Sequence, residues 1–433
     1  MFNANIATWI LLGTFVLFIV FKMPVVFALS VSSCLTMIYM KIPLMAFIQQ
    51  MGKSVNSFSL MAIPFFVLAG EIMGAGGISN RLLDCADAIV GRFRGGLAYV
   101  NVLGSMFFGH LSGSAVADVS SLGSVEIPMM EKAGYDKEFS VAITVTSSCQ
   151  GVLIPPSHNM IIYSVAAGGV SVGALFMAGL VPGVLCGILL LIVCAVLSKI
   201  RNYPKGDAIP FKQAVKIVWD AVLALFTAVI ILVGVTAGIF TATESAAIAC
   251  IYAFIVSMFI YKELKLSMMP QLLMNTVKTL AMVFSLIAAA GAFGYLLAML
   301  RIPTLITQGL MHISSSKFII FILINVMLLI LGCIMDMAPL ILIVTPILVP
   351  VVKAFGMSPV QFGVMLVFNL AIGLCTPPVG SALFVGCGIG KISVEKTVKA
   401  MLPMYIAMLI GLLLVTFCPN LSLFLPQLLG YAV

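Results

Sequence analysis

Two proline pairs set the terms on which this chain can fold. Gly373-Leu-Cys-Thr-Pro-Pro-Val-Gly380 lies inside apolar sequence. Gly151-Val-Leu-Ile-Pro-Pro-Ser157 repeats its Gly-x-x-x-Pro-Pro frame 222 positions earlier, and the chain holds no other Pro-Pro pair. Pro377 and Pro378 deny two consecutive backbone donors, and Pro378 disfavours helical geometry at Pro377. A helix arriving from about Val360 therefore unwinds here, and a new one can start at the prolines and run to about Gly390. Taken alone, such a motif reads as a proline kink that neighbouring helices re-satisfy. Its repetition points further. In lipid an unwound backbone costs several kcal/mol per unsatisfied group unless it is buried in protein or lines a wet cavity.

The surroundings are lipid. Of 433 residues, 62% are hydrophobic and 8% are charged, more apolar sequence than a soluble core can bury, so the chain reads as an all-α polytopic membrane protein. A net charge of +8 invites a nucleic-acid reading, but the basic residues mark one membrane face instead. The ten cysteines include Cys34, Cys149, Cys186, Cys194, Cys250 and Cys387, scattered singly through apolar segments with no Cys-x-x-Cys. They read as small helix residues, not as disulfides or metal ligands. The first apolar run lacks a basic lead and a small-residue cleavage site, and reads as a retained first helix.

Spans are expected at about 6–21, 24–40 and 57–77, followed by a charged amphipathic stretch, 79–94, with Arg81, Asp84, Asp87, Arg92 and Arg94. Two short apolar stretches, 96–111 and 115–130, are separated only by Leu111-Ser112-Gly113-Ser114, which suggests a re-entrant hairpin. A broken helix, 137–150 then 156–167, carries the first Pro-Pro. A long span, 172–198, ends in Lys199, Arg201, Lys205, Lys212 and Lys216. The rest repeats this order: spans at 217–238, 242–261 and 274–299 and an amphipathic piece at 303–315. A hairpin of 317–331 and 338–352 follows, with Gly332-Cys-Ile-Met-Asp336-Met at its tip. A broken helix of 360–373 and 378–390 and a last span, 400–418, complete it. Pro128 and Pro350 also lie 222 apart, and Pro182 and Pro403 lie 221 apart. The expected organisation is thus a first repeat over 1–200, with hairpin 96–130 and broken helix 137–167. A cytoplasmic linker, 201–216, leads to a second repeat over 217–433, with hairpin 317–352 and broken helix 360–390.

Basic residues orient it. If the run after Lys199 is cytoplasmic and each hairpin enters and leaves on one side, both termini fall outside. Seventeen of the 22 Lys and Arg then lie on the cytoplasmic face; Lys41, Lys53, Arg301, Lys317 and Lys353 do not. The halves become inverted-topology repeats, an architecture of secondary transporters with binding sites near the midplane.

Each tip and each break exposes free carbonyls from the incoming helix and free N–H groups from the outgoing one. Carbonyls and hydroxyls can ligate Na⁺, while helix N-termini favour an anion. The first candidate cation site takes Ser112, Gly113 and Ser114 from the hairpin. Ser147, Ser148 and the carbonyls of Gly151 to Ile154 supply the rest from the break. The second takes Gly332 and Asp336 with Gly373 and Thr376. Substrate candidates are Pro155, Pro156, Ser157, His158 and Asn159 with Pro377, Pro378, Gly380 and Ser381. Taken singly, small polar residues of this kind are also the usual packing and hydrogen-bonding residues between membrane helices. Among the acids, Asp336 at the tip is the functional candidate and Glu244 a cap of its span. Glu71 can face the domain interface, and Asp118 can support the first tip. His110 and His158 flank breaks and His312 lies in a surface piece; no His-x-x-x-His spacing points to a metal beyond Na⁺.

Four pieces give the chain a family likeness: Gly113-Ser-Ala-Val-Ala-Asp118, Ile127-Pro-Met-Met-Glu-Lys-Ala-Gly-Tyr-Asp136, Ile154-Pro-Pro-Ser157 with Met160-Ile-Ile-Tyr163, and Thr376-Pro-Pro-Val-Gly380. Over nearly its whole length the chain resembles the large membrane subunit of TRAP (tripartite ATP-independent periplasmic) transporters. It departs at His158-Asn159, where the family is usually apolar, and at Ala242 and Ser245, where Pro and Ala are expected. The resemblance implies Na⁺-driven uptake of an organic acid through the bacterial inner membrane by an elevator-like movement of the hairpin-containing domain. It also implies a periplasmic substrate-binding protein and a small membrane subunit of about four helices, here a separate chain because the two repeats consume this one. Dicarboxylates, sialic acid, sugar acids and keto acids are all open as substrates. No Walker motif is present, in keeping with ion drive.

Two other readings compete: a stand-alone ion-coupled anion carrier needing no binding protein, and a non-enzymatic assembly subunit. The second leaves two costly broken helices unexplained. No Gly-x-Ser-x-Gly, His-Glu-x-x-His or paired membrane aspartates support an intramembrane enzyme. The orientation is testable. Single cysteines replacing Arg201 and Lys391 in a Cys-less background should react with impermeant maleimide only from the cytoplasm, and those near Met1 and Val433 only from outside. Labelling at position 201 from outside would reverse the assignment.

Overall fold

The computed structural model describes residues 3–206 and 209–433, apart from the side chains of residues 110–112 and 211. The described residues are helical, with one isolated bridge between Arg94 and Lys205. Eight described helices are long and apolar enough to cross a membrane, nine if the bent pair Lys137–Leu153 and His158–Ala166 is one span.

The helices pack as two groups. One contains Ala4–Val20, Val25–Tyr39, Met45–Val55 and Ala62–Ala75 with Phe211–Thr236, Ala242–Ile255 and Met269–Met299. The other is built from two hairpins, two broken helices and the long helices Val172–Ile200 and Val394–Phe417. The first hairpin is Gly96–Ser112 with Ala115–Ser121 and Gly123–Lys132, and the second is Lys317–Ile334 with Met337–Ala354. The broken helices are Lys137–Leu153 with His158–Ala166, and Pro359–Leu374 with Ser381–Gly390. Helices Ile78–Val90 and Ile302–Ile313 touch both groups, each lying beside a hairpin and beside a helix of the outer group. The first is pinned to the outer group by Arg81. Its guanidinium meets Glu263 at 2.7 Å and lies 3.7 Å from the centre of the Tyr261 ring.

The leading halves of both broken helices form the centre of the molecule. Residues 139–153 and 360–374 are buried all round, which suits helices apolar on every face and enclosed by others. They cross each other where Cys149 and Cys375 bring their thiols within 2.8 Å. Their polar side chains are held by hydrogen bonds to neighbouring helices. Asn101 donates to Thr144 and accepts from Ser147, while Asn369 donates to Asn325, which donates in turn to Thr416. Without such partners each buried amide would carry an uncompensated desolvation cost.

Glycine decides how closely hairpin and broken helix approach. A Cβ on Gly151 would lie 2.6 Å from the Cα of Gly109 in the first hairpin, and one on Gly373 would lie 2.8 Å from the Cα of Gly332 in the second. Backbone therefore meets backbone at both crossings, as at small-residue contacts between membrane helices generally.

Three details differ from the sequence reading. Helix Met45–Val55 fills the stretch between the spans expected at 24–40 and 57–77, to which the sequence reading assigns no element. It is short, carries Gln49, Gln50 and Lys53, and packs on Met269–Met299, so it shows no run of spanning length. After Cys418 the chain starts another helix, Pro419–Leu428, with Pro419 in the first turn, where a missing N–H costs nothing. Third, the trailing halves of the broken helices begin at His158 and Ser381, not at the prolines. The second break is occupied by a turn in which the Gly380 N–H donates to the Thr376 carbonyl at 3.1 Å. Both Pro-Pro bonds are cis.

The crossings give a direct prediction. Gly151→Ala and Gly373→Ala should each destabilise the protein by about 1–3 kcal/mol through overpacking, seen as a lower thermal midpoint in detergent. Gly388→Ala, where an added Cβ meets nothing within 4 Å, should not. Equal midpoints for all three would remove the close crossings from the structure.

Candidate functional site

Each hairpin tip docks on the break of its own half. In the first half Gly113 turns the chain with φ +58, and a Cβ there would lie 2.9 Å from His158 Nδ1 and 3.5 Å from the Pro156 carbonyl oxygen. Asn159 Nδ2 donates to the Gly113 carbonyl at 3.3 Å. Ser114 caps the outgoing helix, its hydroxyl accepting from the Ala117 N–H at 3.4 Å. In the second half the Val379 N–H donates to the Cys333 carbonyl at 3.0 Å, and Ser381 Oγ donates to Asp336 Oδ1 at 3.4 Å. Asp336 opens the outgoing arm as its N-cap residue.

The two halves also interlock. Helix His158–Ala166 packs on Met337–Ala354 of the second hairpin, and helix Ser381–Gly390 packs on Ala115–Ser121 of the first. Two breaks and two tips thus belong to one packed unit.

The expected residues separate accordingly. The structure brings Gly113, Pro156, His158 and Asn159 together at the first tip. It brings Gly332 against Gly373 and Asp336 against Ser381 at the second. Thr376 Oγ1 donates to the Ile372 carbonyl at 2.8 Å, which leaves its lone pairs for another partner. Ser147 bonds to Asn101 at 2.8 Å and lies 3.0 Å from Ser105, and Ser148 donates to Val145 at 2.8 Å. Both therefore act first in helix packing. Ser112 ends its helix, and its side chain lies outside the described ones. Ser157 is buried, and its hydroxyl has no hydrogen-bond partner among the described residues. Ile154 ends the leading helix in extended geometry, its N–H donating to Gln150 at 3.0 Å.

The breaks differ in their leftover carbonyls. Pro155 and Pro156 have no N–H, so the Gly151 and Val152 carbonyls are denied their usual donors four residues on. In the second half the Gly373 carbonyl recovers a bond from the Thr376 N–H at 3.0 Å. The breaks also differ in access. Pro155, Pro156 and Ser157 are buried, whereas Asp336, Pro378 and Val379 are exposed and Pro377 and Ser381 half-buried. Gly380 is buried, and a Cβ there would meet the Thr376 carbonyl at 2.8 Å.

Of the remaining acids, Glu244 forms a capping box with Thr241, accepting from its N–H at 2.8 Å, as expected of a cap. Glu71 accepts from Asn275 across two helices of the outer group at 3.1 Å. Asp118 and Glu126, on the returning arm of the first hairpin, are buried, and Ser105 of the leading arm lies beside the Asp118 carboxyl.

Sequence reasoning passed over Gly109, which faces Gly151, and the amide networks of Asn101 and Asn325. A signal was available for the glycine: Gly109 and Gly332 interrupt the first arms of the two hairpins 223 positions apart.

Comparison with known proteins agrees with this architecture. The YdaH transporter of Alcanivorax borkumensis superposes with a TM-score of 0.60 at 14% identity, over 84% of this chain and 86% of that one, which shows a shared fold. The isethionate TRAP transporter permease protein DctMQ of Oleidesulfovibrio alaskensis is 40% identical over 418 residues, 96% of this chain and 66% of that protein. The sialic acid TRAP transporter large permease protein SiaM of Vibrio cholerae is 38% identical over 384 residues, 88% of this chain and 90% of that one. Residues 12–421 match the family described as the DctM component of the tripartite ATP-independent periplasmic transporters, and to that family of large permease subunits this chain belongs.

Proposed function

We propose that this permease takes up an organic acid through the bacterial inner membrane, coupled to Na⁺ entry. A periplasmic binding protein delivers the substrate, and a separate small membrane subunit of about four helices accompanies the chain. The carrying observation is the docking of each hairpin tip on a helix break of its own half. In this reading the halves are inverted repeats and the hairpins re-entrant. The second hairpin's arms are 18 residues each, long enough to span, but its tip bonds to residues 373–381, inside a broken helix. In this reading a tip held there marks a re-entrant hairpin.

Chemistry follows from the ends. One cation site uses the Gly113 tip with the carbonyls freed at Gly151 and Val152. The other uses Asp336 and Thr376 with the carbonyls around Gly332 and Gly373. Helices His158–Ala166 and Ser381–Gly390 start at the two breaks, and the partial positive charge at their N-termini favours an anionic group. Relatives named for sialic acid, a carboxylate, and for isethionate, a sulfonate, support an organic anion as the substrate, with a carboxylate as the first candidate. Movement is of the elevator type. The hairpin-containing group slides against the outer helices on the arms Ile78–Val90 and Ile302–Ile313.

In proteoliposomes, uptake should require both an inward Na⁺ gradient and the binding protein; uptake without the latter would favour a stand-alone carrier. Thr376→Val and Asp336→Asn should each raise the Na⁺ concentration for half-maximal uptake, about tenfold for each 1.4 kcal/mol of ligation lost, with normal amounts of folded protein. Unchanged Na⁺ activation in both variants would remove these residues from the cation site.

A further inference from the structure

A cleft of about 810 Å³, away from the tips and breaks, lies where the first arm meets the first hairpin. Its walls are apolar or aromatic: Val90 and Phe93 at the end of the arm, Tyr99 at the start of the hairpin, and Leu191 and Ala195 on helix Val172–Ile200. Its rim carries Arg94, Lys199 and Lys205, and no acidic residue is among the described residues that line it.

Backbone pairing holds two of the three cations in place, and Lys199 lies in the last turn of helix Val172–Ile200. Arg94 and Lys205 pair in the isolated bridge, and the Gly95 N–H donates to the Pro204 carbonyl at 2.9 Å. Arg94 also donates to the neutral side chain of Asn202 at 3.2 Å. None of the three salt bridges among the described residues uses a rim cation. The neighbouring Arg201 is neutralised by Asp136 at 2.8 Å. Tyr203 also donates to that carboxyl at 2.6 Å, and the two hold it below the usual carboxylate range, so it stays charged at neutral pH. Among the described residues, no carboxylate pairs with a rim cation.

An apolar track leaves this rim along the membrane. Val184, Ile188, Ile192, Val196 and Ile200 recur every four residues on helix Val172–Ile200 and are all exposed. Together, a rim of three cations, an apolar cleft and an exposed aliphatic stripe match one ligand chemistry: a phosphate with acyl chains attached. Free phosphate would leave the apolar walls unused, and zwitterionic lipid would leave the cations without net anionic charge.

We infer that this cleft binds one anionic phospholipid, its phosphate between Arg94, Lys199 and Lys205 and an acyl chain along the outer face of Val172–Ile200. The lipid sits where the arm hands over to the hairpin-containing group, and so braces the joint on which that group would move. Basic pockets between membrane helices hold anionic headgroups in this way, each Lys or Arg contributing about fivefold in affinity.

The test is native mass spectrometry of the full chain in mild detergent, titrated with phosphatidylglycerol or phosphatidylcholine. The unaltered protein should retain one phosphatidylglycerol at least about tenfold more tightly than phosphatidylcholine, and inorganic phosphate should not displace it. Arg94→Gln, Lys199→Gln and Lys205→Gln combined should abolish that preference. Ala195→Trp, which fills the apolar wall and keeps every charge, should lower retention independently. Replacing Lys391, Lys396 and Lys399 by Gln should change nothing. Equal retention of the two lipids, unchanged retention in both variants, displacement by inorganic phosphate, or a partner subunit filling the cleft in the purified complex would each overturn the inference. The readout is lipid retention, not transport, so it stands or falls separately from the uptake reading.

Discussion

Everything in this permease depends on how it shelters unwound backbone inside a bilayer. Two Pro-Pro breaks leave carbonyls without helical donors, and hydrocarbon offers them no water. The protein meets this cost by bringing a second discontinuity, a hairpin tip, against each break. The contact is backbone to backbone, which is why Gly109 faces Gly151 and Gly332 faces Gly373. A side chain at either crossing would separate the strands of polar backbone that need each other.

The two halves are not equally closed. The first break is buried, with Asn159 fastening the tip and the Ser157 hydroxyl without a hydrogen-bond partner among the described residues. In the second, Asp336, Pro378 and Val379 reach the surface. That difference is what a transport site needs if one side admits ligand while the other seals it. The arms supply the complementary requirement. Arg81 fixes the first arm to Glu263 and Tyr261 of the outer group, so in the proposed elevator reading movement relative to that group would fall on the arm-to-hairpin joint beyond it.

Much of this was legible in residue order. Apolar runs bounded by basic residues marked the helices, because lipid imposes length and composition on them. Pro-Pro pairs at one offset marked the breaks, because proline removes a donor wherever it stands. Glu244 was readable as a cap from Thr241 three residues before it. What escaped depends on contacts distant in sequence. The short helix Met45–Val55 is stabilised by packing on Met269–Met299, and its own sequence gives a weak signal. That Ser147 also donates to Asn101 and lies beside Ser105 follows only from the packing of the first hairpin on the broken helix. The Cys149–Cys375 meeting joins residues 226 positions apart and follows only from the crossing of the two broken helices.

The central claim is that tips and breaks travel as one body. Spin-label pairs in proteoliposomes, read with and without a Na⁺ gradient, binding protein and substrate, test it most directly. The distance from the first hairpin tip to helix His158–Ala166 should stay constant. The distance from that tip to helix Phe211–Thr236 should change by several ångströms or more. A constant tip-to-outer-helix distance, with opening between tip and break, would contradict the claim and point to local gating.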